Sequence, residues 1–333
     1  MARSLSERIR LDALPNPYGP PEQVWDAIAS DDPSRTSTEE LHLRMRRELG
    51  AYIGVPESWV VLANGIDELH SMIVRWRSES GPLVTFPPTD PALDAWVEAH
   101  GVQVERIPRL NGFRMPVRDD LSHIPKGSTS IVMSPNDPSG TIITVQETVR
   151  LLRRCAVVVV DERHAAYSSR SVLPLVREWE NMIVTQTFET FAGLTSLPLA
   201  WAIAPPRFTK EIAKRGRPSG IGRTSLVAGL ATLDEMAAVQ QSVRRVMAEK
   251  GRLFRQIRKL NMISAPYPSW SNFLICRFER GSSDFFLPRL EERGIDLYRP
   301  PHPNLRNHVR ISAVSGEWTA ALKNALIDIA LDL

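Results

Sequence analysis

Short runs of aliphatic and β-branched residues recur along the middle of the chain, separated by segments of helical periodicity. The runs are Trp59–Leu62, Leu83–Phe86, Thr129–Met133, Ala156–Val160, Met182–Thr185 and Leu199–Ile203. They are continuous rather than alternating, which suits strands covered on both faces. Between them, Ser37 with Glu40 and Thr144 with Glu147 read as capping boxes that open helices. Leu69, Met72, Ile73 and Trp76 fall on one helical face behind the Asn64-Gly65 turn. Strand and helix in alternation predict an α/β fold: a mainly parallel sheet with helices on both faces.

The later chain reads differently. A helical stretch from about Thr224 to Leu260 leads to apolar runs at Phe273–Cys276, Ile295–Tyr298 and Val309–Ile311, and then to a closing helix with Leu322, Leu326 and Ile329. That order suits a small α+β unit. We divide the chain into an N-terminal arm (1–35), a large domain (36–245) and a small C-terminal domain (246–333). With 43% hydrophobic and 24% charged residues the chain has an ordinary globular composition. The formal charge of +3 comes from no basic tract, so nucleic acid is not an expected partner. No apolar stretch approaches the roughly 18–20 residues of a membrane span, and Met1 to Arg10 lacks an apolar signal region. Cys155 and Cys276 lack metal or redox spacing and read as buried thiols; a cytoplasmic location is the default expectation.

Seven motifs, in order along nearly the whole chain, carry a family resemblance. Leu14-Pro15-Asn16-Pro17-Tyr18-Gly19-Pro20 resembles the N-E-N-P-Y-G-P opening of histidinol-phosphate aminotransferases. Ala63-Asn64-Gly65-Ile66-Asp67-Glu68 resembles their G-N-G-S-D-E turn, and Ser134-Pro135-Asn136-Asp137-Pro138-Ser139-Gly140 their S-P-N-N-P-T-G segment. Val158-Val159-Val160-Asp161-Glu162 resembles the V-V-V-D-E strand end, and Thr187-Phe188 through Ala204 the segment that carries the family's lysine. Trp270-Ser271-Asn272-Phe273 and His308-Val309-Arg310-Ile311 resemble the late N-F and L-R-I-T segments. The chain is thus similar to the class I/II, fold type I aminotransferases, which implies a homodimer and pyridoxal phosphate (PLP) chemistry.

The resemblance assigns roles unevenly. Asp161 stands where the family's carboxylate meets the pyridine nitrogen, Arg310 matches its substrate-carboxylate arginine, and Tyr18 matches the tyrosine that reaches the partner subunit's cofactor. Asn136 belongs to the substrate side. Elsewhere the pattern departs: Thr190 falls on the Schiff-base lysine, Glu189 on a phosphate-binding serine and Pro198 on a phosphate-binding arginine. Asp137 and His164 replace the asparagine and tyrosine that bond the ring hydroxyl, Asp90 replaces the stacking aromatic, and Ile66 replaces a small residue of the phosphate turn. A threonine hydroxyl forms no imine. Losing cations and adding carboxylates beside a dianion weakens phosphate binding on the order of a thousandfold. None of Lys126, Lys210, Lys214, Lys250, Lys259 and Lys323 is placed by sequence near the strand ends.

These substitutions predict a PLP-independent biosynthetic enzyme acting on an amino acid or other small carboxylate, with no cofactor expected and PLP only a weak non-covalent ligand. Arg310 would bind the carboxylate, with Tyr18, Asn136 and Asp137 on the substrate side. His164 and Asp161 would transfer protons, assisted by Glu189, Thr190 or Asp137. No metal is expected, because the spacing matches no metal signature. Two alternatives stay open: a non-catalytic scaffold or pseudoenzyme, and a PLP-dependent aminotransferase of histidinol-phosphate type. Simpler structural roles also stay open: Asp161 capping a turn, Arg310 on a strand surface, Tyr18 packing in a turn, and Glu189 and Thr190 solvated in a loop.

Overall fold

The computed structural model describes residues 8–14, 16–78, 80–117, 120–217 and 220–333. The N-terminal residues 1–7 and Pro15 of the opening motif lie outside the described residues. In chain order the first half contains β1 (Ile9–Leu11), α1 (Glu22–Ala29), α2 (Thr38–Ile53), β2 (Val60–Ala63), α3 (Ile66–Arg77), β3 (Leu83–Thr85), α4 (Pro91–Ala99), β4 (Val104–Arg106), β5 (Thr129–Met133) and α5 (Val145–Arg154). There follow β6 (Val157–Asp161), α6 (Ala165–Ser168), β7 (Met182–Thr187), β8 (Ala200–Ile203), α7 (Pro206–Ala213), α8 (Arg223–Asp234), α9 (Met236–Ile257), β9 (Phe273–Arg277), α10 (Ser283–Glu292), β10 (Ile295–Leu297), β11 (His308–Ser312) and α11 (Gly316–Ala330).

Seven strands form one sheet in the order β2-β8-β7-β6-β5-β3-β4. From β7 to β4 all neighbours are parallel, and β8 lies antiparallel to both β2 and β7. Every residue of β5 and of β6 is buried, as continuous apolar runs require when helices cover both faces. One core packs α1, α2, α5 and α8 on one face of the sheet, and a second packs α3, α4 and α7 on the other. Both capping boxes are formed: Ser37 and Thr144 each accept from the backbone three residues on, and Glu40 and Glu147 bond back.

A separate core gathers β1, β9, β10 and β11 with α10, α11 and the end of α9. Here β9 and β11 pair antiparallel, and the arm contributes β1, which runs parallel to β10. The long helical stretch after Thr224 is two helices, not one. The chain leaves helical geometry at Glu235 (φ −101°, ψ 21°), because α8 packs against α1 and α2 while α9 packs against α6 and α11. The short β4 is half-exposed and lacks a continuous apolar run, which is why hydrophobicity alone does not reveal it. Cys155 and Cys276 are free and buried.

Candidate functional site

The carboxyl ends of β5, β6 and β7 bring Asp137, Asp161, His164, Glu189 and Thr190 to one end of the sheet, where ligands of open α/β sheets gather. Asp161 ends β6 and is 1% exposed. A carboxylate buried to that degree requires donors, and Arg163 supplies them. Its backbone N–H donates to Asp161 Oδ1 at 3.0 Å, and its Nε and Nη2 lie 2.8 and 2.7 Å from Oδ2. Behind the pair, His70 Nε2 stands 3.5 Å from Asp161 Oδ2 and 3.3 Å from Thr185 Oγ1. Burial, the largest cause, lowers the His70 pKa to about 4, so His70 is neutral at physiological pH. Burial alone would raise the Asp161 pKa, but Arg163 and His70 outweigh it and hold the group below the usual carboxylate range.

Arg163 also reaches the other way. Its Nη1 donates to Asp90 Oδ2 at 2.8 Å, and Asp90 in turn caps α4 by accepting from Ala92 N. The carboxylate at the position of the family's stacking aromatic is therefore one end of an Asp-Arg-Asp bridge that is part-buried at Asp90 and Arg163 and fully buried at Asp161. Thr190 Oγ1 donates to the Arg163 carbonyl at 2.5 Å, and Tyr167 donates to the Thr190 carbonyl at 3.0 Å. Thr190 thus locks the loop after β7 onto the loop after β6.

Glu189 lies at the amino end of α3. Its Oε1 accepts from Ile66 N at 3.2 Å and from Thr187 Oγ1 at 2.9 Å. A helix amino terminus favours an anion, and here the chain's own carboxylate takes that place. Gly65 (φ +91°) brings the turn so close that an added Cβ would meet Pro198 at 3.1 Å and Glu189 Oε1 at 3.2 Å. Burial raises the Glu189 carboxyl pKa.

On the substrate side, Arg310 Nη1 donates to Asp137 Oδ2, and Nη2 donates to the Asp12 carbonyl. The guanidinium also lies over Tyr298 at 4.1 Å and Phe273 at 5.5 Å. Asn136 is fully buried and committed within the fold: Oδ1 accepts from Arg109, and Nδ2 donates to the Pro88 carbonyl and Ser139 Oγ. Tyr18 packs beside Tyr167 and Phe191, with Arg245 3.8 Å above its ring. His164 lies edge-on to Phe273, and its Nδ1 has no hydrogen-bond partner. Among the described residues none of the hydrogen bonds of Asp161, Asp137 and Glu189 goes to His164. Burial first, then Arg163, lowers its pKa to about 3, far from the near-neutral base that cofactor-free proton transfer requires.

Arg163 and His70 are the site residues that sequence reading missed. A basic residue two positions after a strand-end aspartate can fold back on it, and His70 shares the apolar face of α3 with Ile66, Leu69 and Ile73. Among the lysines, Lys126, Lys210, Lys214 and Lys259 are exposed. Lys250 is more enclosed, with its pKa lowered by burial to about 8, and it donates to the Ser269 carbonyl. Among the described residues no group of three histidine, cysteine or acidic side chains is arranged to hold a metal ion.

The sheet order places a buried aspartate at the end of β6, and the separate core presents a buried arginine on β11. The chain belongs to the aminotransferase class I and II family, whose model matches residues 7–328. Among curated proteins it is 29% identical, over 97% of its length and 90% of the relative's, to the histidinol-phosphate aminotransferase of Roseiflexus castenholzii. The histidinol-phosphate aminotransferase of Clostridium acetobutylicum superposes with a TM-score of 0.89 at 17% identity, covering 97% of this chain and 99% of that one. That of Sinorhizobium meliloti, solved in complex with pyridoxal-5'-phosphate, superposes with a TM-score of 0.85 at 22% identity, covering 97% and 90%.

These relatives correct three expectations: the PLP-independent acid/base enzyme, the pseudoenzyme, and the absence of a cofactor. The full-length relatives are named as histidinol-phosphate aminotransferases, which are PLP-dependent, and one was solved holding PLP. The residues of this chain suit that cofactor unevenly. Asp161 is a buried, ionised carboxylate suited to a pyridine nitrogen, although Arg163 already engages both of its oxygens. Glu189, Pro198 and Thr190 do not fit the phosphate and aldehyde ends.

Proposed function

We propose that the chain works as a PLP-dependent aminotransferase of histidinol-phosphate type, with the phosphate and aldehyde ends of the cofactor held differently from its relatives. The observation that carries this reading is the buried Asp161 at the end of β6, ionised between Arg163 and His70, within a chain that matches these aminotransferases over nearly its whole length. Arg310, presented by β11 and flanked by Tyr298 and Phe273, is assigned to the substrate's anionic group. Titration with PLP followed by absorbance near the visible edge, together with an assay of amino transfer from histidinol phosphate to a 2-oxo acid, tests this reading. A cofactor band and measurable transfer are expected. A protein that stays colourless and transfers no amino group overturns it.

The same reading includes a homodimer and a cytoplasmic location. Among the described residues no helix is long and apolar enough to cross a membrane. A groove of about 720 Å³, lined by Leu49, Tyr52, Phe191, Met236 and Val239, supports the dimer; Tyr52 stands 53% exposed at its edge. The occupant we assign to this groove is a second copy of the chain.

A further inference from the structure

The seven-stranded sheet ends at β2, which pairs with β8 on one side only. The other side of β2 opens on a cleft of about 600 Å³, lined by Leu43 of α2, Met72 of α3 and Ala213 of α7. The register tells which backbone groups face it. Ala204 N donates to the Trp59 carbonyl, so Trp59, Val61 and Ala63 turn their N–H and C=O towards β8. Val60, Leu62 and Asn64 turn theirs outward. The chain itself meets the two ends of this edge. The Val60 carbonyl accepts from Arg46 Nε at 3.1 Å, the Val60 N–H donates to the Glu57 carbonyl, and the Asn64 N–H donates to Glu68 Oε2 at 2.6 Å. Between them, the N–H and C=O of Leu62 have no partner among the described residues.

A residue that turns both its N–H and its C=O outward is matched by one residue of an antiparallel strand, which returns both bonds. A lactam or nucleobase carries donor and acceptor on one carbon, too close together to span the pair. In the antiparallel sense the ligand's amino end lies towards Asn64 and its carboxyl end towards Val60. Glu68 stands at the first end and Arg46 at the second. Glu68 Oε1 and Arg46 Nη1 take no hydrogen bond among the described residues, so each can meet a terminus and keep its bond to β2. The other charges lining the cleft, Glu39, His42, Lys210 and Arg217, carry both signs. Four residues of strand span about 13 Å, which suits a peptide of about three residues. We propose that the open edge of β2 is a binding site for a short peptide with free termini. The peptide lies antiparallel to β2, pairs its middle residue with Leu62, and sets its ammonium against Glu68 and its carboxylate against Arg46. The site does not depend on the aminotransferase reading.

Nuclear magnetic resonance of the full chain labelled with 15N-leucine reads the Leu62 amide directly, and Leu62→Ile identifies its signal. Titration with the tripeptide Ala-Val-Ala should shift that signal saturably. Methylating the valine nitrogen should weaken binding about tenfold or more, because it removes the donor to the Leu62 carbonyl. Blocking both termini, by acetylation and amidation, should weaken it about fivefold. Glu68→Gln keeps an acceptor for the Asn64 N–H and should abolish the preference for a free amino end. Ala213→Trp should fill the cleft and remove binding, with the sedimentation mass unchanged. A Leu62 signal that does not respond overturns the proposal, as does equal affinity for the methylated or the blocked peptide. Binding that survives Ala213→Trp overturns it too. A changed sedimentation mass in that variant would give the cleft to a second copy and overturn it as well.

Discussion

The charged side chains at the sheet edge are matched by the chain itself. Arg163 bridges Asp161 and Asp90, Arg310 holds Asp137, and Glu189 takes the backbone donor that opens α3. Glu162, the neighbour of Asp161, forms no ion pair among the described residues. It accepts from Ser171 Oγ, Val172 N and Gln186 Nε2, but burial outweighs these bonds and raises its pKa to about 7. The folded protein therefore keeps a proton that the unfolded chain releases near the ordinary carboxyl pKa of 4.5. Stability attributable to Glu162 should decline as pH rises from about 4.5 to about 7 and then level off, by up to about 3 kcal/mol. Glu162→Gln should remove that slope from urea-unfolding free energies measured across the interval; an unchanged slope would rule out this origin. Asp161, Thr190 and Arg310 stand out by their place in motifs. Arg163, by contrast, acquires its role only because the loop after β6 folds back on the strand.

At the scale of elements, the N-terminal arm shows what holds the loops of the site in place. Gly193 (φ +76°), in the loop between β7 and β8, meets the arm at Gly19: an added Cβ would lie 2.7 Å from the Gly19 carbonyl carbon and 3.0 Å from Pro20 N. Asn16 fastens the same contact by donating to the Phe191 carbonyl and Ser242 Oγ, both at 2.7 Å. Backbone cannot yield as a flexible side chain can, and alanine is strained at positive φ. Gly193→Ala should cost about 2 kcal/mol in stability and expose the arm to protease near Tyr18. Unchanged melting temperature and unchanged cleavage would contradict this packing. The central strands were legible because they are continuous buried runs, and α2 and α5 because their capping boxes are local. The half-exposed β4, the break at Glu235 and the pairing of β1 with β10 were not legible, since each depends on partners distant in sequence.

For the molecule as a whole, the proposed assembly seats a second copy in the groove beside α2 and α9. Tyr52→Glu would place a charge at the edge of the mostly apolar groove assigned to a second copy, whose lining also holds Glu162, Arg170 and Arg244, and burying that carboxylate under a partner is costly. Sedimentation should find the wild type at twice the 37.4 kDa chain mass and Tyr52→Glu at the single-chain mass with its circular dichroism unchanged. A wild-type monomer, or a dimer that tolerates Tyr52→Glu, would remove the groove from the interface. By itself the sequence determined the α/β class, the parallel strands and the family, because hydrophobic period, caps and ordered motifs are written in neighbouring residues. Only the tertiary structure decided that Arg163 bridges Asp161 to Asp90, that Asp137 occupies Arg310, and that burial takes His164 out of the physiological range. Charge pairing and desolvation depend on distances between segments far apart along the chain, and those distances exist only once it has folded.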